Sequence, residues 1–309
     1  MNTVSIHWRY TMNLSLYLAT VLIWGTTWIA IKWQVGVVDL TVSIAYRFAL
    51  AALVLFAFLL ARGSLQSMDR RGHMICLAQG ACLFCLNFIC FYVASQWVPS
   101  GLIAVIFSTA VLWNAFNARL FLGRRIAPAV LGGSAFGMAG LMLLFWPELS
   151  GPAFRTETLY GVLLALGGTL CFSFGNMLSS VKQSRGLRPL STNAWGMFYG
   201  AVLLVAISMG CGAEIQIDWS ARYLGSLVYL AIPGSVIGFT AYLTLVGRIG
   251  AERAAYCTVL FPVVALNVSA LVEGYQWTPS ALIGLILVML GNVLVFYKPR
   301  PAVPMSVRG

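Results

Sequence analysis

Scattered through the long apolar stretches of this chain are a few side chains that can hold a small molecule without reacting with it. Trp24, Thr27 and Ile31 share one face at helical spacing, with Trp28 beside them. Trp113, Asn114 and Asn117 form a second such face, and Gln79, Leu83 and Asn87 a third. Arg47 is the one charge placed inside an apolar stretch. Further along, Tyr242 and Tyr256 add phenols, while Asn267 and Asn176 add amides. Indoles and phenols offer flat apolar surface with a polar tip, amides offer both hydrogen-bonding senses, and a guanidinium offers a fixed positive fork. The candidate binding residues are therefore Trp24, Thr27, Arg47, Asn87, Trp113, Asn114, Asn117, Tyr242, Tyr256 and Asn267. Each has a plainer reading. Buried amides are costly unless they meet partners or water, so the Asn residues read equally as interhelical hydrogen bonds. A charge within a membrane span is by default a functional hypothesis, yet Arg47 lies about 10 Å below the nearer edge, within reach of snorkelling or structural pairing.

Reactive chemistry is poorly served by comparison. The seven cysteines, at 76, 82, 85, 90, 171, 211 and 257, fall almost entirely within apolar stretches, where Cys packs as a small apolar residue. Cys82 and Cys85 make a CxxC, but no His or second CxxC lies nearby to complete a metal or redox site. The two histidines, His7 and His73, sit at margins, and no Gly-rich GK[ST] loop for nucleotide phosphates occurs. Neither a metal nor a cofactor is expected, and no catalytic cluster points to an enzyme. An integral-membrane enzyme, or a structural or signalling membrane protein, is the alternative reading.

The elements that must position the candidates follow from composition: 60% hydrophobic and 9% charged residues, with a mean hydropathy of +0.88. Such a chain is a polytopic membrane protein. Runs long enough to cross roughly 30 Å of hydrocarbon as helix recur along its length. Ten are expected: Leu14–Trp33, Leu40–Ala61, Met74–Ser95, Ser100–Leu122, Ala129–Trp146, Leu159–Val181, Thr192–Cys211, Tyr223–Val246, Ala254–Val272 and Ser280–Tyr297. They are numbered here as spans 1 to 10. The first could pass for a signal peptide, but it is too long and lacks an A-x-A-like cleavage site.

Charge sorting sets the orientation, because cytoplasmic loops retain Lys and Arg. With the N-terminus inside, only Lys32, Arg155 and Arg222 fall outside and Arg47 within a span, while every other basic residue is cytoplasmic. Asp39, Glu148, Glu157, Glu214, Asp218 and Glu273 lie on the outer side. The net charge of +11 is thus a sorted rim, and no basic face remains for nucleic acid. The expectation is a multi-pass protein of the cytoplasmic (inner) membrane with both termini cytoplasmic, its partners being the lipid bilayer and a small solute.

The ten spans repeat. Pro128, Gly133, Gly140, Phe145 and Trp146 are echoed 151 residues later by Pro279, Gly284, Gly291, Phe296 and Tyr297, and the same register sets Phe91 against Tyr242. Five spans per half is an odd number, so the second half re-enters inverted, an arrangement typical of transporters. Residues 1–150 and 151–309 are the expected halves, joined through the polar link 147–158. Gly133 with Gly140, and Gly284 with Gly291, leave one helix face bare in spans 5 and 10. Those faces suit packing of span 5 on span 10, or a homodimer. Pro233 with Gly234 interrupts span 8 and Pro262 interrupts span 9, whereas Cys82 and Val111 stand at the matching positions, so the halves are expected to bend differently. No carboxylate lies deep in a span, which favours facilitated diffusion, or coupling through another group, over a buried-carboxylate proton relay.

Across nearly its whole length the chain resembles the ten-span EamA-type permeases of the drug/metabolite transporter superfamily. The matching stretches are WGTTWIAIK (24–32), YRFALAAL (46–53), WVPSGLIAVI (97–106), RIGAERAAY (248–256) and LVEGYQWTPSALIG (271–284). The resemblance implies an all-α fold of two inverted five-helix repeats. It also implies a central cavity bounded mainly by spans 1, 3, 4, 6, 8 and 9, and alternating-access transport, often export, of amino acids, other metabolites or drugs. One departure is FLGRRI, with Arg124 where the family usually has Glu; the acid survives only at Glu273 in the second repeat.

Overall fold

The computed structural model describes residues 3–122, 128–146, 156–249, 254 and 257–296. Among these residues all regular structure is helical. The first half comprises α1 (Thr3–Trp33), α2 (Leu40–Ala61), α3 (Arg70–Gly80), α4 (Asn87–Ala94), α5 (Ser100–Ser108), α6 (Ala110–Leu122) and α7 (Pro128–Leu144). The second comprises α8 (Thr156–Ser184), α9 (Pro189–Gly210), α10 (Ala221–Tyr229), α11 (Gly238–Ile249), α12 (Cys257–Val272) and α13 (Pro279–Phe296). A π-helical stretch, Ala81–Leu86, joins α3 to α4, and another, Leu230–Ile237, joins α10 to α11. Joined in this way, with α5 and α6 forming span 4, the segments make ten spans. Seven described helices are long and apolar enough to cross a membrane, and Leu131–Leu144, Leu260–Val272 and Pro279–Leu294 are shorter apolar helices.

Local chemistry fixes the ends. Asp39 and Asp69 accept hydrogen bonds from the backbone N–H groups of Thr41 and Gly72, both at 2.8 Å, and so start α2 and α3. Gly63 and Gly212, in the left-handed region at φ 56° and 69°, close α2 and α9, where a side chain would be strained. Helix α1 begins eleven residues before the expected span, at Thr3 rather than Leu14. Once an apolar span has nucleated a helix, each added turn costs little.

Packing displays the inverted repeat. An added Cβ at Gly140 would lie 2.6 Å from the Gly284 carbonyl oxygen, and one at Gly291 would lie 2.5 Å from that of Gly133. The earlier glycine of α7 meets the later one of α13, so the two helices run antiparallel, backbone against backbone. The glycine faces are thus used within one chain. Spans 2 and 7 repeat the relation: Thr41 Oγ1 meets Ser208 Oγ at 2.6 Å at one end, and the Phe56 and Trp195 rings lie 5.0 Å apart at the other. Span 1 packs on spans 8 and 9, and its mate, span 6, packs on spans 3 and 4.

Bending departs from expectation. Span 8 does loosen at Pro233, inside the stretch Leu230–Ile237. Span 3 loosens too, over Ala81–Leu86, without a proline, and a shift of 151 residues lays one stretch on the other. In span 3 the loosened turn packs where glycines allow close approach: an added Cβ at Gly80 would lie 2.5 Å from the Gly196 carbonyl oxygen, and one at Gly200 would lie 2.7 Å from Phe84 Cβ. Missing N–H groups are one route to π geometry; tertiary packing is another.

Candidate functional site

A cavity lies between the spans, with about 380 Å³ of empty space when its opening to the outside is included. Span 1 supplies one wall with Trp24, Thr27, Trp28 and Ile31, the face its periodicity predicts. Arg47 enters from α2, Asn87 with Phe88 and Phe91 from α4, and Phe107 from the end of α5. The second repeat closes the cavity with Phe172 from α8 and Phe239 from α11. Both repeats therefore build it. Compared with the expected set of spans, span 2 joins through Arg47, and span 9 stands one layer back, where Phe261 stacks on Trp28 at 6.2 Å.

Trp24 is held on two sides. Its Nε1 donates to the Gly234 carbonyl oxygen at 3.2 Å, across the break made by Pro233. Its ring lies 5.0 Å from both Phe239 and Tyr242. Span 1 comes this close because an added Cβ at Gly238 would sit 2.5 Å from Trp24 Nε1, and one at Gly234 would sit 2.9 Å from Thr27 Cγ2. Thr27 turns its hydroxyl back to the Trp24 carbonyl at 2.9 Å. Trp28 packs edge-on against Phe91 at 5.2 Å, yet its Nε1 has no hydrogen-bond partner among the described residues.

Arg47 does not snorkel. It is 2% exposed; its Nε donates to Ser235 Oγ at 3.0 Å and its guanidinium carbon lies 4.3 Å from the Phe88 ring centroid. Ser235 in turn donates to the Leu230 carbonyl oxygen at 2.8 Å, five residues back within the π stretch. The loosened turn thus exposes the hydroxyl that steadies the buried charge. Arg47 Nη1 and Asn87 Oδ1 lack partners among the described residues.

Other candidates are placed elsewhere. Asn117 Nδ2 donates to Ser173 Oγ at 2.8 Å, and Ser173 donates to Asn114 Oδ1 at 2.8 Å, so this pair clamps α6 to α8. Trp113 is half-buried beside the exposed Phe116, away from the cavity. The reason is a break in span 4, where the Ser108 and Thr109 hydroxyls bond back to the carbonyls of Val105 and Ile106 at 2.7 and 2.6 Å. Trp113, Asn114 and Asn117 all follow that break, on α6. Tyr242 is buried behind Trp24, with Asn176 Nδ2 donating to its hydroxyl at 3.4 Å. Asn267 is exposed on α12, its amide folded back to the Val263 carbonyl at 2.8 Å, so it does not reach the cavity. Tyr256 lies outside the described residues.

Sequence reasoning missed most of the aromatic wall. Phe107 and Phe172, 4.5 Å apart, and the Phe88–Phe239 pair, 6.4 Å apart, read as ordinary apolar residues within apolar spans. One signal was present: Phe88 and Phe239 are equivalent in the 151-residue register.

Two segments, residues 11–146 and 159–297, each match the EamA-like transporter family. The chain belongs to this family. Relatives include the "Probable amino-acid metabolite efflux pump" of Escherichia coli (strain K12), 25% identical over 287 residues, covering 89% of this chain and 92% of the relative. The "Uncharacterized inner membrane transporter YedA" of the same organism is 30% identical over 292 residues, covering 91% and 92%. A crystal structure at 18% identity superposes with a TM-score of 0.68 over 92% of this chain and 96% of that one, which speaks for the fold. The protein is a multi-pass membrane transporter of the drug/metabolite transporter superfamily.

Proposed function

We propose that this EamA-family transporter exports a small amphipathic organic solute, an amino acid, metabolite or drug, across the inner membrane by alternating access between its inverted repeats. The observation that carries the reading is the cavity itself, walled by spans 1 to 4 of one repeat and spans 6 and 8 of the other. Relative tilting of the halves would open such a cavity to one side at a time. Trp24, Thr27, Arg47 and Asn87 touch the solute in this scheme. Trp113, Asn114, Asn117 and Tyr242 shape the frame around it. The relatives named as an efflux pump and as an inner-membrane transporter support direction and location. Charge sorting supports cytoplasmic termini, and a division near residues 150 and 151 supports two repeats of equal span number. Any homodimer must use a surface other than the glycine faces packed inside the chain. Among the described residues no carboxylate lines the cavity, which supports facilitated movement or coupling through another group.

Purified protein in liposomes should exchange a labelled solute without altering it chemically. Failure to move any compound from a broad amino-acid and metabolite panel would refute transport through this cavity. Reporter fusions at the C-terminus that are active only on the outer side would refute the orientation.

A further inference from the structure

Among the described residues the cavity carries an unbalanced charge. Arg47 lies on its wall, 2% exposed, and its side-chain partners are two neutral hydroxyls, Ser235 and the buried phenol Tyr92, so no described group offsets its charge and its Nη1 is left without a partner. The described carboxylates are all elsewhere: Asp39 and Asp69 cap helices, Asp218 holds the Ser220 N–H, and Glu273 accepts from Ser100 and Ser269. Glu157 and Glu214 are exposed. Two further wall residues, each more than nine-tenths buried, carry an unpartnered polar atom: the donor Trp28 Nε1 and the acceptor Asn87 Oδ1. With Arg47 Nη1, that makes a charged donor, a neutral donor and a neutral acceptor, converging from spans 1, 2 and 3 on one aromatic-walled space. Buried polar atoms normally find partners, and a charge left bare is the costliest exception.

We infer that the solute is a net monoanion: an organic monocarboxylate with a neutral hydrogen-bond donor, a hydroxyl or an acylated N–H, beside the carboxylate, on an apolar or aromatic body. The inference rests on the proposed function, since it takes the cavity to be the solute site. Arg47 and Trp28 supply donors to the carboxylate, Asn87 accepts from the neutral donor, and the body packs among Phe107, Phe172 and Phe239. Net charge separates this class from the zwitterionic amino acids and from cationic drugs. A monoanion neutralises the cavity, whereas a zwitterion leaves it with the Arg47 charge and adds an ammonium that has no carboxylate to meet. Ring faces attract ammonium groups, but Phe88 is already occupied by Arg47, and the remaining attraction is weaker than the hydration lost.

The test uses the wild-type protein in liposomes and four probes on one skeleton: phenyllactate, phenylpropionate, phenylalanine and phenethylamine. A labelled amino-acid mixture is run in parallel. Phenyllactate is expected to exchange at least about tenfold more efficiently than phenylalanine, with phenylpropionate between them and phenethylamine inert, a tenfold ratio being a modest share of an unpaired buried charge. Asn87→Leu should raise KM for phenyllactate more than for phenylpropionate. Phenylalanine or the amino-acid mixture moving as well as phenyllactate overturns the anionic assignment and leaves transport standing. If no probe and no component of the mixture moves, the transport reading fails and this inference fails with it.

Discussion

Replacing Gly140 by Ala tests whether spans 5 and 10 are the fixed frame of the molecule. The new Cβ would fall 2.6 Å from the Gly284 carbonyl oxygen and 2.8 Å from both the backbone nitrogen and Cγ2 of Val288. Those distances are roughly 1 Å short of comfortable contact, and two of the three obstacles are backbone that no rotamer change can move. Sliding along the helix gives no relief, because Gly291 is seated just as tightly on Gly133 two turns away. The helices must separate, which by the usual cost of overpacking removes about 1–3 kcal/mol. Gly132→Ala in the same helix is the control: its Cβ would meet nothing within 4 Å, and Ala gains about 1 kcal/mol of helix propensity over Gly. The two variants should therefore differ by about 2–4 kcal/mol, or roughly 4–8 °C in thermal midpoint at about 2 °C per kcal/mol for a chain of this size. Thermal unfolding in detergent, followed by intrinsic fluorescence, reads this directly. Equal midpoints for Gly140→Ala and Gly132→Ala would refute the glycine-face frame. Since neither position touches the cavity, both variants should keep the wild-type preference among solutes at temperatures where they remain folded.

Arg47→Lys should retain part of the transport that Arg47→Ala loses, because a charge in the cavity survives without its planar fork; both variants matching wild type would sink a ligand role for Arg47. Trp24→Ala removes the ring that faces Phe239 and Tyr242, so it should raise KM for aromatic solutes about tenfold and relax discrimination against aliphatic ones. Unchanged selectivity across such a panel would count against an aromatic box. Ser173→Ala leaves Asn114 and Asn117 without their shared partner and should cost about 1–3 kcal/mol of stability with KM untouched, which separates the clamp from the cavity. Pro233→Ala restores a donor to the π stretch and should slow turnover more than it changes KM; normal turnover would mean that the loosened segment does not move during transport.

The frame was legible because its signal is compositional and repeated. Four bare glycine positions and a constant offset are enough to mark α7 and α13, since only small residues let backbones approach in lipid. The span 1 face was legible for a similar reason: an indole and a hydroxyl stand out from aliphatic neighbours. Arg47 was visible as a charge, but its partner was not, because Ser235 reaches it only through a π turn that moves the hydroxyl off the helical period. Periodicity also says which residues share a face and not what the face meets, so Asn114 and Asn117 looked like wall and proved to be clamp. Phenylalanines inside apolar spans carry no such contrast.

The two π stretches bear on how a duplicated frame acquires a specific site. In the 151-residue register Leu230–Ile237 falls on positions 79–86, over the observed Ala81–Leu86, although only the second copy contains proline. The irregular backbone is therefore a property of the fold position, and proline is one way to stabilise it. Immediately after each stretch the copies diverge: Asn87 stands in the first repeat and Gly238 in the second. Asn87 presents an unpartnered oxygen on a cavity wall, whereas the missing side chain of Gly238 makes room for the Trp24 indole. The residue before each pair of wall phenylalanine equivalents, Phe88 and Phe239, thus supplies polarity on one side and space on the other. Under the proposed alternating access, these two equivalent stretches are where the bundle would flex. The side chains that follow them give the cavity its asymmetry, which suits the proposed solute with one polar end and one apolar end.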